Sequence, residues 1–297
     1  MSTINASLSD AIITKKAIQA FVAELIALTA FSTDFSAETA AKGSVVNVPV
    51  PANITAGTTE NAYETEDSAG LGVASVPLTS YAKATVGITD KQFMNSSAAR
   101  LENFAVQQAK AVARKIITDA WALVVNATYA QKVTKSLASL TTADIRAMKV
   151  LLDKAEVPAS DRSLILNADA YDKVVGDTTI TIANAMYYGG PEVIREGRIP
   201  RLLGMNAHMS NIVPGNSENL IGFAVHPSAM ALAIRTLQPQ APSEYLESRV
   251  ITDPETGIGL GYRRHYSTAK GTHYCTFEAI YGAVAAVPAG LCRLVTA

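Results

Sequence analysis

The 297-residue chain has only two cysteines, Cys275 and Cys292. Two thiols cannot build a disulfide framework, and free cysteine mostly behaves as a small buried hydrophobe, so a reduced, structural role is expected for both. Excess charge is missing too. Twenty-five basic residues against 26 acidic ones leave a net charge of −1, which excludes the overall basic character of a general nucleic-acid or anionic-membrane binder but leaves local patches open. So neutral a chain gives identical copies little mutual repulsion. Only 17% of residues are charged and 48% are apolar, a balance that excludes extensive disorder. No apolar run is long enough to span a bilayer. The segment after Lys15-Lys16, AIQAFVAELIALTA, is broken by Gln19 and Glu24, and it is too short for a membrane span. Its Ile18, Phe21, Val22, Leu25 and Ile26 fall on one helical face, so it reads as an amphipathic helix that docks on something. Formal glycosylation sequons at Asn5, Asn53, Asn95 and Asn126 are expected to be chance matches, without secretion. Internal repeats, low-complexity tails and flexible linkers are also missing.

What is present is ordered along the chain. Residues 1–36 read as an arm ending in FSTDFS. Val45 to Val50 form a short strand whose Pro49 suits an edge. Residues 51–74 show no helical period and are rich in Thr, Ala, Gly and acids, and no Lys or Arg occurs between Pro51 and Ala82. Val76 to Thr89 alternate as a returning strand, which makes an extended hairpin around a polar excursion. Such a hairpin cannot bury a face alone and needs a surface to lie on. Ser96 to Thr128 carry the longest helical signal: Leu101, Ala105, Ala109, Val112, Ile116, Ala120 and Leu123 are spaced by threes and fours. A second unit begins near Leu140. Thr141 caps a helix reaching Lys154, with Asp144 favouring its N-terminus. SLIL (163–166) reads as a buried strand and ADAYDKVV (168–175) as a short helix stopped by Gly176. Asn219 to Val225 predict a strand, and His226 to Arg235 a helical or extended segment. Beyond the turn at Asp253–Gly257, GIGLGYRRHYS and HYCTFEAIYGAVAAV predict paired strands, with LCRLV last.

The stretch from Pro191 to Pro214 reads as a brief helix started by Pro191 and closed by Gly197, followed by a strand from Ile199 to Met209 broken at Pro200 and Gly204. Helix, Gly, Ile and a second Gly at this spacing, ahead of an extended run, resemble major capsid proteins of tailed bacteriophages with the Hong Kong 97-type fold. The order of pieces along the whole chain resembles that family as well. The resemblance implies an α+β fold with an N-terminal arm (1–44), an extended β-loop (45–90), a peripheral domain with a spine helix (91–139), an axial domain (140–235), and a return to the peripheral domain with the C-terminal strands (236–297). It implies a structural protein that self-assembles into the icosahedral shell around the genome of a tailed phage or prophage, and no enzymatic activity.

Implied partners are further copies of the chain in hexamers and pentamers, with a separate scaffolding protein, portal and decoration proteins, and packaged double-stranded DNA held without sequence-specific binding. No membrane is involved. The implied location is the virion, after assembly in the host bacterial cytoplasm. Some relatives cross-link their shells through a loop lysine, and the polar excursion of this loop has none between Pro51 and Ala82. Others begin with a long scaffolding segment that is cut away. The short arm here points to a mature-length product or to a separately encoded scaffold. An encapsulin-like nanocompartment shares the fold and is the alternative. A soluble α/β enzyme is a remote one, since no convergent acid, base or metal groups are found.

Chemical motifs are sparse, and no cofactor or metal site is expected. His273-x-Cys275 lacks a second ligand pair at zinc-like spacing and reads as strand positions. Gly257-x-Gly259-x-Gly261 follows a turn with no helix behind it, so it reads as a hairpin with close backbone approach, not a phosphate loop. His226-Pro227-Ser228 has no acid to complete a triad. The acidic group Glu60, Glu64, Glu66 and Asp67 lacks the pattern of a calcium loop. It reads as solvated or as facing basic residues of a neighbour. Arg195, Arg198 and Arg201 read as a wet surface or an inter-subunit contact around a symmetry axis.

Overall fold

The computed structural model describes residues 3–41, 43–50, 73–95, 98–177, 199, 201–237, 245–254 and 256–296. In chain order its elements are α1 (Thr3–Leu25), β1 (Ser32–Thr39), β2 (Val45–Pro49), β3 (Val73–Pro77), β4 (Ser80–Thr89), α2 (Asp90–Asn95), α3 (Ala98–Trp121), β5 (Lys132–Thr134), α4 (Thr142–Lys154) and β6 (Ser163–Leu166). They continue with α5 (Ala168–Val175), β7 (Arg201–Leu202), β8 (Met205–Met209), β9 (Leu220–Val225), β10 (Met230–Thr236), β11 (Glu247–Thr252), β12 (Gly259–Ser267), β13 (Thr272–Ala285) and β14 (Leu291–Val295).

The large sheet runs β1-β10-β13-β12-β11, with β4 also on β13. The 14-residue β13 organises it. One of its edges carries β12 along Thr272–Glu278 and then β10 along Ile280–Ala285; the other carries β4 along Thr272–Tyr281. A second sheet runs β5-β14-β9-β6-β8-β7. Its β9 is buried at all six positions because both faces are covered. Leu220, Phe223 and Val225 join a core formed with α1, α3 and the large sheet, where Phe21, Leu25, Ile116, Trp121 and Phe277 also lie. Ile221 and Ala224 point the other way into a second core with Ile145, Met148 and Leu152 of α4 and Tyr171 of α5.

The α4 start follows the expected chemistry: the Thr141 backbone N–H and hydroxyl both donate to Asp144 Oδ2, at 2.9 and 3.0 Å. The Asn167 side chain caps α5 by accepting from the Ala170 N–H at 2.8 Å. The amphipathic helix of the arm finds its surface within the chain, burying Ala17, Ile18, Phe21 and Leu25 against α3.

Three expectations are corrected. The returning strand is two strands: β3 closes the hairpin with β2, and β4 leaves it to pair with β13. The root of the hairpin lies on the large sheet, where Val48, Val76 and Leu78 pack on Ala231, Ala233 and Ile280. Gly282 makes that seat possible, since a Cβ there would lie 2.3 Å from the Pro77 carbonyl oxygen. The long helix ends at Trp121, seven residues before Thr128, so its 24 residues span about 36 Å. Residues 201–209 form a hairpin, β7–β8, turned by Leu203 and Gly204 at φ 52° and 87°. His226 to Arg235, expected as helical or extended, are both in turn: one short 3-10 turn and then β10. The brief helix expected at 191–197 lies outside the described residues.

Candidate functional site

Among the described residues, no group of three or more His, Cys, Asp or Glu side chains could hold a metal. The weak motifs dissolve into structure. His273 faces Tyr266 across the strands, with ring centroids 4.7 Å apart, and its Nε2 lies 3.6 Å from Asp90 Oδ1. Cys275 instead accepts from the Tyr262 hydroxyl. The 257–261 glycines form the turn and first residues of β12, and Gly261 sits opposite Glu278. His226 and Ser228 do touch, but the charged neighbours acting on the ring are Arg162 and Asp161, in no triad arrangement.

Glu60, Glu64, Glu66, Asp67, Arg195 and Arg198 lie outside the described residues. Arg201 is exposed on β7, and its guanidinium donates to the Gly204 carbonyl of its own turn at 3.3 Å. The acidic stretch springs from the β2–β3 root, whose outward face is well defined. Val45 stands opposite Pro77, and Pro49 opposite Val73, around a central pair in which Ser75 Oγ donates to Asn47 Oδ1 at 3.0 Å. Val45 is 58% exposed and Val73 54%. The inward positions Val48 and Val76 hold the root to the sheet while this apolar outer face is left bare.

Four arginines brace the subunit behind its surfaces. Arg235 pairs with Asp34 Oδ2 at 3.0 Å and donates to the Asp34 carbonyl at 2.8 Å, fastening β1 to β10. Arg263 pairs with Glu278, which also accepts from the Tyr81 hydroxyl, so β12, β13 and β4 share one carboxylate. Burial and that carboxylate push the Tyr81 phenol above its ordinary range. Arg162 pairs with Asp153 at 2.6 Å and donates to the Val157 and Pro158 carbonyls, closing the loop behind α4. Arg293 is 1% exposed and reaches three groups: Glu218, Asn126 Oδ1 at 2.7 Å and the Tyr129 carbonyl at 2.7 Å. None of these arginines carries a sequence signal, because each finds its acid or carbonyls only after folding.

The two cysteines are not joined in a disulfide. Burial pushes the Cys292 thiol up to about 12, against a smaller opposing pull from Arg293.

A family model described as phage capsid protein matches residues 72–281, more than half of the chain. No curated protein matches the chain. Among solved structures, the capsid of the cyanophage P-SCSP1u is similar at 16% identity and a TM-score of 0.59, covering 90% of this chain and 86% of that one. Mycobacterium phage Che8 is similar at 18% identity and a TM-score of 0.57, covering 85% of each. A virus-like particle from Pyrococcus furiosus is similar at 11% identity and a TM-score of 0.55, covering 95% of this chain and 97% of that one.

Proposed function

Because the chain belongs to the phage capsid protein family, with the Hong Kong 97-type fold that its solved neighbours share, we propose that it is the major shell subunit of a tailed phage or prophage and that the root of its β2–β3 hairpin is one of its contacts with neighbouring copies. Its place is the virion capsid, and its partner is itself, many times over. The observation that carries the contact is the bare outer face of that root, with Val45, Pro49, Val73 and Pro77 around a single polar pair. Covering such a face with a second copy removes apolar area from water. Repeated many times in a closed shell, weak contacts of this kind hold through valency.

In this reading residues 140–235 form the axial lobe clustered around local symmetry axes. An apolar core on the α4 and α5 side of the second sheet, separate from that under α3, supports a distinct lobe there, with β10 crossing to the large sheet and β14 contributed from the C-terminal end. Glu60, Glu64, Glu66 and Asp67 face basic residues of a neighbour, and Arg195, Arg198 and Arg201 make contacts near the axis. Such charges orient subunits more than they add affinity. Assembly occurs in the host cytoplasm, with a separate scaffolding protein, a portal, decoration proteins and double-stranded DNA as the contents.

Electron microscopy of the purified protein tests the proposal. Closed shells of uniform diameter are expected, and a protein that stays monomeric at high concentration overturns it. The likeness to a virus-like particle keeps an encapsulin-like compartment as the second reading. Double-stranded DNA inside particles isolated from the native source decides for the phage shell, and an enclosed enzyme decides for the compartment.

A further inference from the structure

Among the described residues the chain passes between the spine-helix side of the molecule and the second sheet three times, and the three passages meet. The first is the segment from Trp121 to β5. The second, residues 226–229, joins β9 to β10, and the third, residues 286–290, joins β13 to β14. The second and third are each a single 3-10 turn opened by a proline, Pro227 and Pro288. They are bonded to each other through backbone groups: His226 N–H to the Gly290 carbonyl at 2.9 Å, Ala286 N–H to Ala229 at 2.9 Å, and Val287 N–H to Ser228 at 3.1 Å. The first passage joins them through the buried Tyr129, whose hydroxyl donates to the Ala229 carbonyl at 3.0 Å.

His226 sits at the centre of this joint and is buried. Its Nδ1 accepts from the Ser228 backbone N–H at 3.2 Å and lies 2.8 Å from Ser228 Oγ. An amide N–H can only donate, so Nδ1 carries no proton and the neutral ring holds its single proton on Nε2. A second proton would have to go on Nδ1. The serine hydroxyl could turn to accept it, but the amide could not, and the 226–229 turn would lose its side-chain cap. The charged groups acting on the ring are the buried Arg162 guanidinium, itself paired with Asp153 of α4, and Asp161. The arginine opposes a second positive charge and the aspartate favours one. The passage 286–290 contributes no titratable group.

We propose that His226 is an acid-sensitive latch on the joint between the α4–α5 side of the subunit and its spine-helix side. Neutral, it caps the 226–229 turn and keeps the passages bonded; protonated, it gives up the Ser228 amide and the joint loosens.

The direction of the pH effect follows. Burial and then Arg162 hold the folded-state ring below its ordinary value. The closed joint is therefore at full strength above the ordinary histidine range and weakens as pH falls through it toward the lowered value.

The chain provides its own reporter. Trp121, the sole tryptophan, stands edge-on to Phe223 of β9 with ring centroids 5.6 Å apart, across the first passage. Trp121 emission from the full-length protein, followed from about pH 8 to about pH 5, should shift to the red below the ordinary histidine range. In His226→Asn, whose amide oxygen can accept the same N–H without titrating, that transition should vanish or move by at least about one pH unit. An unchanged midpoint in the variant overturns the proposal. Should the variant fail to fold, hydrogen exchange on the unaltered protein decides. Corrected for intrinsic rates, amides of 226–230 and 286–291 should open about tenfold more at the acid end relative to α4, a change of one decade in the opening constant. Equal protection of the three segments across the range overturns it.

Discussion

The Asn216 side-chain amide donates to the carbonyls of Trp121, at 3.0 Å, and Val124, at 2.8 Å. A residue more than ninety positions downstream thus closes the C-terminal end of the spine helix, where carbonyls have no partner within the helix. Asn216, Ser217 and Asn219 all adopt positive φ, at 49°, 57° and 52°, a region costly for side chains other than Gly and least so for Asn. Replacing Asn216 by Ala removes both hydrogen bonds and keeps the costly backbone, so a loss of about 2 kcal/mol is expected. Asn216→Gly relieves the backbone and should lose less. Urea titration of both variants, followed by Trp121 emission, checks the order.

The buried Arg293 predicts a larger effect from its partner than from itself. Glu218→Ala strands the cation and should cost about 3–5 kcal/mol, whereas Arg293→Met, which removes the charge but fills the space, should cost less. Denaturation midpoints of the two single variants and the double variant test this. Independent, additive effects would show that the two residues do not act as a pair.

Gly282 predicts a local failure. A methyl group there meets the Pro77 carbonyl and Val76 Cγ1, at 2.3 and 2.8 Å, so Gly282→Ala should lift the hairpin root off the sheet at a cost of about 1–3 kcal/mol. Limited proteolysis should then cut faster on either side of β2 and β3, while the interior of α3 stays protected.

The thiols should differ sharply in reactivity. With its value near 12, Cys292 is almost wholly protonated at neutral pH, and only the thiolate is a nucleophile. Ellman's reagent should label Cys275 in the folded protein and Cys292 only on unfolding. Because its folded-state value is raised, Cys292 favours folding fully below the ordinary thiol range, and that contribution fades as pH rises toward about 12.

Reversing Glu64 and Glu66 to Lys should leave the subunit soluble and impair particle formation. Sedimentation of the double variant gives the answer: normal particle yield would remove charge complementarity from the role proposed for the loop.

Where the governing contacts are local, the sequence reading and the fold agree closely. SLIL and ADAYDKVV sit where pattern and caps place them, because Asn167 and Gly176 act within a turn of the helix they bound. The spine helix overran its true end since Asn216, which helps to close it, is distant in the chain. β1 read as plain arm because its partner β10 lies some two hundred residues on, and the outer strand β11 lacked a clean alternation. The surface side of the hairpin root was partly legible through Pro49. The braces formed by Arg162, Arg235, Arg263 and Arg293 were not, since a buried arginine and a wet one look alike until their partners arrive.

The two-sided bonding of β13 has a mechanical consequence. Along Thr272–Glu278 the strand is gripped by β12 and β4 at once, and from Ile280 to Ala285 it is held by β10. Tension applied along it loads these bonds together instead of peeling them one at a time, and rupture needs many to fail in the same instant. A wall built of such subunits, stretched from within by its contents, would carry the strain along this strand as a cable does, and would yield first at joints where the chain turns between sheets.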